Sequence, residues 1–404
     1  MIELKWWEKL KEKGILSKVF IGIIFVGFIS IIINTGLSEL NIVTRNKDNW
    51  KAYEGVEENN IFDKVKNKLS SLENSIENRI NNNFFMYDNI NALYQNLNFY
   101  SNKLVYTEVP IKTNSDNEYV FFDKNNNFYY LENKYTKEEL NERLTKEVEF
   151  FNELSKDLDI YIYIPTRYEL TPLSKRSLSN YVTDFTSKLS GAIKYKTMNI
   201  ESIEKYKEYF YKTDHHWTIA GALNGYYDIM AMLDKNPLNN LNIESKSAKK
   251  YYGSLAKTAL NDNVYDYITD VTIDLDYDAY VNGKKPDENF KPRKLRTDRS
   301  YKYYDYYVSY FNGQYGNIVY DFKQESEENL LILCDSYAWQ IDYLIAASFN
   351  KTHVINLRYD DYKNKSFDIK SYMKANDIDK VLFLYEGGSI IFDQYNYDFV
   401  GRLK

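Results

Sequence analysis

A single cysteine, Cys334, occurs in 404 residues, so no disulfide can close within the chain. A basic excess is also missing. Lys and Arg number 52 against 58 Asp and Glu, a net charge of −6, which excludes a general nucleic-acid binder. Histidine is scarce, with His215, His216 and His353 as its three copies, and no His/Cys cluster offers a full ligand set for a zinc ion. No second long apolar run follows the N-terminal region, so at most one membrane crossing is expected. Tyr is abundant, with 41 copies in a chain that is 44% hydrophobic, a globular composition rather than a disordered one. The length corresponds to about two domains, or to one large domain with insertions.

The one apolar run lies near the start. No charged residue occurs from Val19 to Ser38, and Val19–Ile33 is broken only by Gly22, Gly27 and Ser30. With Ile15, Leu16 and Leu37 it reaches the roughly 20 residues that a helix needs to cross a bilayer. Lys5, Lys9, Lys11, Lys13 and Lys18 precede it, and Trp6 and Trp7 suit an interface. Positive residues before the span predict a cytoplasmic segment at 1–18, an anchor at 19–38 and the remainder outside the cell. The run is longer than a usual signal-peptide core and lacks an A-x-A site, which favours an anchor over a cleaved leader.

Residues 39–110 read as a helical stalk and lead-in, with Ile76, Ile80, Phe84, Ile90, Leu93 and Leu97 near helical spacing. A domain at 111–404 follows. Glu118–Asn133 reads as a hairpin turning at Asn125–Asn127. Strands are expected at 158–165, near 198–200, and at 329–334, 353–358 and 380–385. Helices are expected at 137–156, 173–191, 218–233, 337–348 and 369–376. This alternation predicts an α/β fold with a mostly parallel sheet covered on both faces. Residues 235–328 read as an irregular, Tyr-rich insertion.

Two segments carry candidate chemistry. Ser336 follows the apolar strand Asn329–Cys334 and opens an expected helix, where free N–H groups would face an oxyanion. Thr213–Thr218 (TDHHWT) holds a carboxylate two residues before a histidine, a base and its orienting acid for a nucleophilic serine. From the residues alone, other readings stand beside these. Asp335 or Ser336 is also a good N-cap, and Asp214, His215 and His216 form a short metal-ligand cluster, disfavoured because adjacent histidines diverge. His353 opens a strand and reads as structural.

YKTDHHWT resembles the signature of the DHHW family, which is similar to the alginate O-acetyltransferases of the SGNH-hydrolase superfamily. Glu118–Leu131, DIYIYIPTRYEL, YYGSLAK (Tyr251–Lys257), YFNGQYGNIV (Tyr310–Val319) and LILCDSYA resemble further stretches of that family, so the resemblance spans most of the chain beyond the anchor. It implies an SGNH-hydrolase-like three-layer α/β/α domain with Asp214 as triad acid, His216 as base and Ser336 as nucleophile. Asp and His precede Ser, as in that family, and His215 occupies its variable position. Cys334 stands where the family usually has Gly.

The implied activity is extracytoplasmic O-acetyl transfer to an exopolysaccharide or cell-surface polysaccharide through an acetyl-serine intermediate, with no metal or cofactor. A membrane-bound O-acyltransferase is the implied supplier of the acetyl group. Exposed tyrosines suit a sugar-binding surface. A carbohydrate acetylesterase would use the same triad, and a non-catalytic polysaccharide-binding or assembly subunit of an export complex would keep it as a vestige. Position alone nominates Asn312, Gly313, Arg358, Tyr359 and Tyr385, beside the Ser336 N–H, as oxyanion or substrate contacts.

Overall fold

The computed structural model describes residues 135–403, short loop segments excepted, with Gly22 and the strand segments 108–112, 119–123 and 129–131. The chain divides into two compact units, Met1–Tyr94 and Gln95–Lys404, and the strands and helices named below belong to the second. The expected anchor and most of the stalk lie outside the described residues. Among those described, no helix is long and apolar enough to cross a membrane.

Strands β1 (Glu108–Lys112), β2 (Tyr119–Asp123) and β3 (Tyr129–Leu131) form a small antiparallel sheet. β2 and β3 are the expected hairpin, while the lead-in read as helical up to 110 already enters a strand at Glu108. The strands that follow are β4 (Ile160–Ile164), β5 (Lys194–Thr197), β6 (Asn242–Ser245), β7 (Thr269–Thr272), β8 (Asp278–Val281), β9 (Asn317–Asp321), β10 (Leu330–Cys334), β11 (Lys351–Ile355) and β12 (Lys380–Leu384). Seven of them form the main sheet in the order β5-β4-β12-β10-β11-β9-β8. From β5 to β11 every pairing is parallel; β9 and β8 close that edge antiparallel.

Helices lie on both faces. They are α1 (Lys137–Leu154), α2 (Ser179–Lys188), α3 (Ile203–Tyr209), α4 (Ile219–Met232), α5 (Ser254–Thr258), α6 (Tyr306–Tyr310), α7 (Asp342–Ala346), α8 (Ile369–Ala375), α9 (Gly387–Phe392) and α10 (Phe399–Arg402). Alternate side chains of a strand point to opposite faces, and the two cores follow that alternation. Ile160, Ile162, Leu331, Leu333 and Phe383 pack against α1, α2, α8, α9 and α10. Tyr161, Tyr163, Leu330, Ile332 and Leu382 pack against α3, α4 and α7. Helix α1 starts at a capping box, in which Glu139 N–H donates to Thr136 Oγ1 at 3.2 Å and Thr136 N–H to Glu139 Oε2 at 2.8 Å. Its stripe, Leu140, Leu144, Val148, Phe151 and Leu154, is buried, and Phe151 meets Phe383 edge-on at 4.9 Å.

Several boundaries differ from the sequence reading, each for a local reason. β11 ends at Ile355 because the Asn356 side chain accepts from Arg358 N–H at 3.1 Å and turns the chain. The segment after Ser336 is a 3₁₀ turn (Ser336–Gln340) and then α7, because Ile341, at φ −128° and ψ −5°, leaves the helical region between them. The early strand lies at 194–197 and gives way at Met198, whose N–H donates to Ile164 C=O at 3.0 Å. The segment 235–328 is more regular than it read. It supplies β8 and β9 to the main sheet, a β6–β7 ribbon, and α5 and α6.

Candidate active site

Ser336 follows β10, a central strand of the sheet, at its carboxyl end. Asp335 fixes the turn after it. Its Oδ1 accepts from Tyr337 N–H at 2.9 Å and its Oδ2 from Glu386 N–H at 2.9 Å, so it ties β10 to the end of β12. Cys334 is buried and faces the core layer of α4 and α7, where its larger side chain fits in place of Gly.

Asp214 and His216 come from a tight loop between α3 and α4. A bridge between Phe210 and Trp217 closes it, with Tyr211 N–H donating to His216 C=O at 3.2 Å and Thr218 N–H to Tyr209 C=O at 2.8 Å. Inside the loop, Asp214 Oδ1 accepts from His216 N–H at 3.0 Å and meets His216 Nδ1 in a very short contact. The opposite ring nitrogen, Nε2, lies 2.7 Å from Ser336 Oγ. Acid, imidazole and hydroxyl therefore form one continuous chain, and all three are buried. Burial alone would raise the pKa of Asp214, but His216, His215 and the Ser254 N–H outweigh it and hold the carboxyl well below the usual range.

Other residues complete the frame; the sequence reading singled out the YYGSLAK stretch that holds three of them but gave none a role. Tyr307 stacks on the His216 ring at 3.9 Å and 12°, and its hydroxyl donates to Ser336 C=O at 3.1 Å. Trp339 lies beyond, 6.4 Å from His216. Tyr251 OH and Ser254 N–H donate to Asp214 Oδ2 at 2.8 and 2.7 Å. Gly253, between them, lets the backbone approach: a Cβ there would sit 2.4 Å from Asp214 Cβ and 2.5 Å from Thr213 O. Gly253→Ala should therefore displace the acid and lower turnover about a hundredfold, the scale for a misplacement of about 1 Å. Esterase assays against wild type check this; unchanged turnover would mean the loop shifts without cost.

The nominated contacts are distributed unevenly. Asn312 and Gly313 lie outside the described residues. Tyr359 packs against the aromatic cluster of Tyr251, Tyr307 and Trp339, and the Arg358 guanidinium lies over its ring at 5.5 Å. Tyr385 is fully buried in the opposite core layer, against Tyr397 and Phe399 at 4.9 Å each, because its place in the strand alternation turns it away from the serine side. The Tyr337 N–H is occupied by Asp335 and so is not available to an oxyanion. The helix expected to aim its dipole there is replaced by the 3₁₀ turn. His215 points its Nδ1 at Ser254 Oγ, 2.8 Å away, and His353 pairs with Tyr372 OH at 2.8 Å.

Ligand atoms of Asp214, His215 and His216 lie within 4.8 Å of one another, close enough for a metal ion. The acid and base atoms, however, already bond to one another, to Ser336, to Tyr251 and to Ser254. A cation there would have to break the chain that joins acid to serine.

No family model matches the chain, and no curated protein matches it. Solved structures do. A DHHW family protein from Eubacterium siraeum aligns with a TM-score of 0.54 at 16% identity, over 74% of this chain and 100% of its own. Bacillus cereus PatB1 with a sulfonyl adduct aligns with a TM-score of 0.53 at 19% identity, over 70% of this chain and 98% of its own. The fold built around Asp214, His216 and Ser336 is thus shared with a DHHW family protein.

Proposed function

We propose that this protein is an SGNH-type O-acetyltransferase acting on a polysaccharide outside the cell. The unbroken Asp214–His216–Ser336 chain carries the reading. In the first half-reaction Ser336 Oγ attacks the donor's acetyl carbon and its proton passes to His216 Nε2. The donor's leaving oxygen takes that proton as its bond to the acetyl carbon breaks. In the second half, a sugar hydroxyl attacks acetyl-Ser336, His216 accepts the hydroxyl proton, and the proton returns to Ser336 Oγ. Asp214 stays ionised throughout and stabilises the imidazolium. Water in place of the sugar hydroxyl gives the acetylesterase reaction with the same groups. A membrane-bound O-acyltransferase as acetyl supplier belongs to the same proposal, as does the N-terminal anchor.

The test uses the full chain with an activated acetyl ester and a panel of oligosaccharides, followed by mass spectrometry. Acetylated oligosaccharide is the expected product, whereas free acetate alone makes the protein an esterase. Absence of any Ser336-dependent turnover overturns both and leaves a binding subunit. On intact cells, a charged, membrane-impermeant ester should be turned over; turnover only after lysis would reverse the placement outside.

A further inference from the structure

Asp214 has two oxygens, and they have different employers. Oδ1 serves His216; Oδ2 receives the Tyr251 hydroxyl at 2.8 Å and the Ser254 N–H at 2.7 Å. The segment carrying these donors is tied to the acid's own loop. Tyr251 exchanges both backbone hydrogen bonds with Asp266, at 2.8 and 2.9 Å, and the Asp266 carboxylate accepts the N–H groups of Lys212 and Thr213 at 3.1 and 2.9 Å. The Tyr251 ring is buried edge-on against Tyr211 at 5.7 Å.

We infer that Tyr251 is a positioning residue for the Asp214–His216 pair, holding the second carboxylate oxygen and setting how strongly the acid pulls on the imidazole. Burial keeps its phenol far above its ordinary pKa, so it remains a donor throughout the working range. The hydroxyl's positive end offsets part of the Asp214 charge felt by His216. Its removal leaves Asp214 ionised but less compensated. The imidazolium formed in the reaction then faces a less compensated carboxylate and is stabilised further.

Other groups also act on this ring. His215 lies beside it, Tyr307 and Tyr337 pack on it from α6 and from the serine turn, and Asp305 and Asp335 are the further carboxylates within electrostatic reach. Arg167 and Arg358 act on His215. All of these remain in place when only the Tyr251 hydroxyl is removed, because Tyr251→Phe keeps the ring.

The rate readout rests on the acyl-transfer reading; a second readout does not. In the full chain, kcat/KM for p-nitrophenyl acetate is measured against pH for wild type and Tyr251→Phe, and the His216 ring is titrated by NMR in both. Three histidines make its signals assignable. The acid limb and the ring titration should both move upward by about half a unit or more. The plateau should fall about tenfold, the scale seen when a supporting partner is removed. The second variant is Tyr251→Phe in an Asp214→Asn background. With the carboxylate charge gone the hydroxyl has nothing to offset, so removing it should move the titration no further. A lower plateau with an unmoved ring titration in Tyr251→Phe, or an equal shift in the Asp214→Asn background, makes Tyr251 structural and overturns the proposal. If wild type shows no Ser336-dependent turnover, the proposed function fails while the titration still decides the role of Tyr251.

Discussion

Ser336→Ala should lower turnover of an activated acetyl ester by at least about four orders of magnitude, and His216→Ala should do the same. The hydroxyl and imidazole lie 2.7 Å apart and act as one unit, so the double variant should be no worse than either alone. Asp214→Asn should cost up to about 10⁴-fold, because an amide opposite His216 Nδ1 favours the wrong tautomer. His215→Ala should cost far less, since its Nδ1 faces Ser254 and not the serine. Folding should survive in each case, and thermal melts beside the kinetics verify that the variants remain native. Ordinary turnover by Ser336→Ala would remove the serine from the chemistry and, with it, the transferase and esterase readings.

The second large effect concerns stability. Trp217→Ala should destabilise the protein by about 3–5 kcal/mol, the range for deleting a buried large aromatic. The indole is fully buried. It lies edge-on to Tyr337 at 5.3 Å and near Tyr163 at 6.4 Å, and it packs so tightly on α4 that a Cβ at Gly225 would come within 2.7 Å of it. It also forms one half of the bridge that closes the Asp214–His216 loop. Trp217→Phe should cost less. It keeps a ring and removes a buried Nε1–H that has no acceptor among the described residues. Urea midpoints with unchanged m-values would measure both. A loss below about 1 kcal/mol for Trp217→Ala would show that the loop stands without its prop.

The central strands were readable because they are short, apolar and bounded. IYIYI and LLILC have every residue buried, and such runs between helical stripes leave few alternatives. Position suggested the approach of Asp214, His216 and Ser336, a serine at a strand end and an acid-base pair on the loop ahead of a helix, but left N-cap and metal readings open; the resemblance of TDHHWT and LILCDSYA to the DHHW family chose between them. β8 and β9 were not readable. Their residues are Tyr, Asp and Asn among the apolar ones, only every second residue of β9 is buried, and they are set in a Tyr-rich stretch that dilutes the alternation. The roles of Tyr251 and Tyr307 were hidden. YYGSLAK marked the segment of Tyr251 without a task for it, and among 41 tyrosines nothing local distinguishes the one that lies on His216. Their roles arise from packing between segments that are distant in sequence.

The lone cysteine has a consequence of its own. Cys334 ends the same strand that presents Ser336, is almost fully enclosed, and burial pushes its thiol pKa well above the ordinary value. An oxidant or alkylating reagent needs the thiolate and a path to it. Neither exists until β10 comes away from β11 and β12, its two neighbours in the sheet. The thiol is thus chemically silent for as long as the serine is held in its firing position, and becomes reactive only in molecules that have already let go of it.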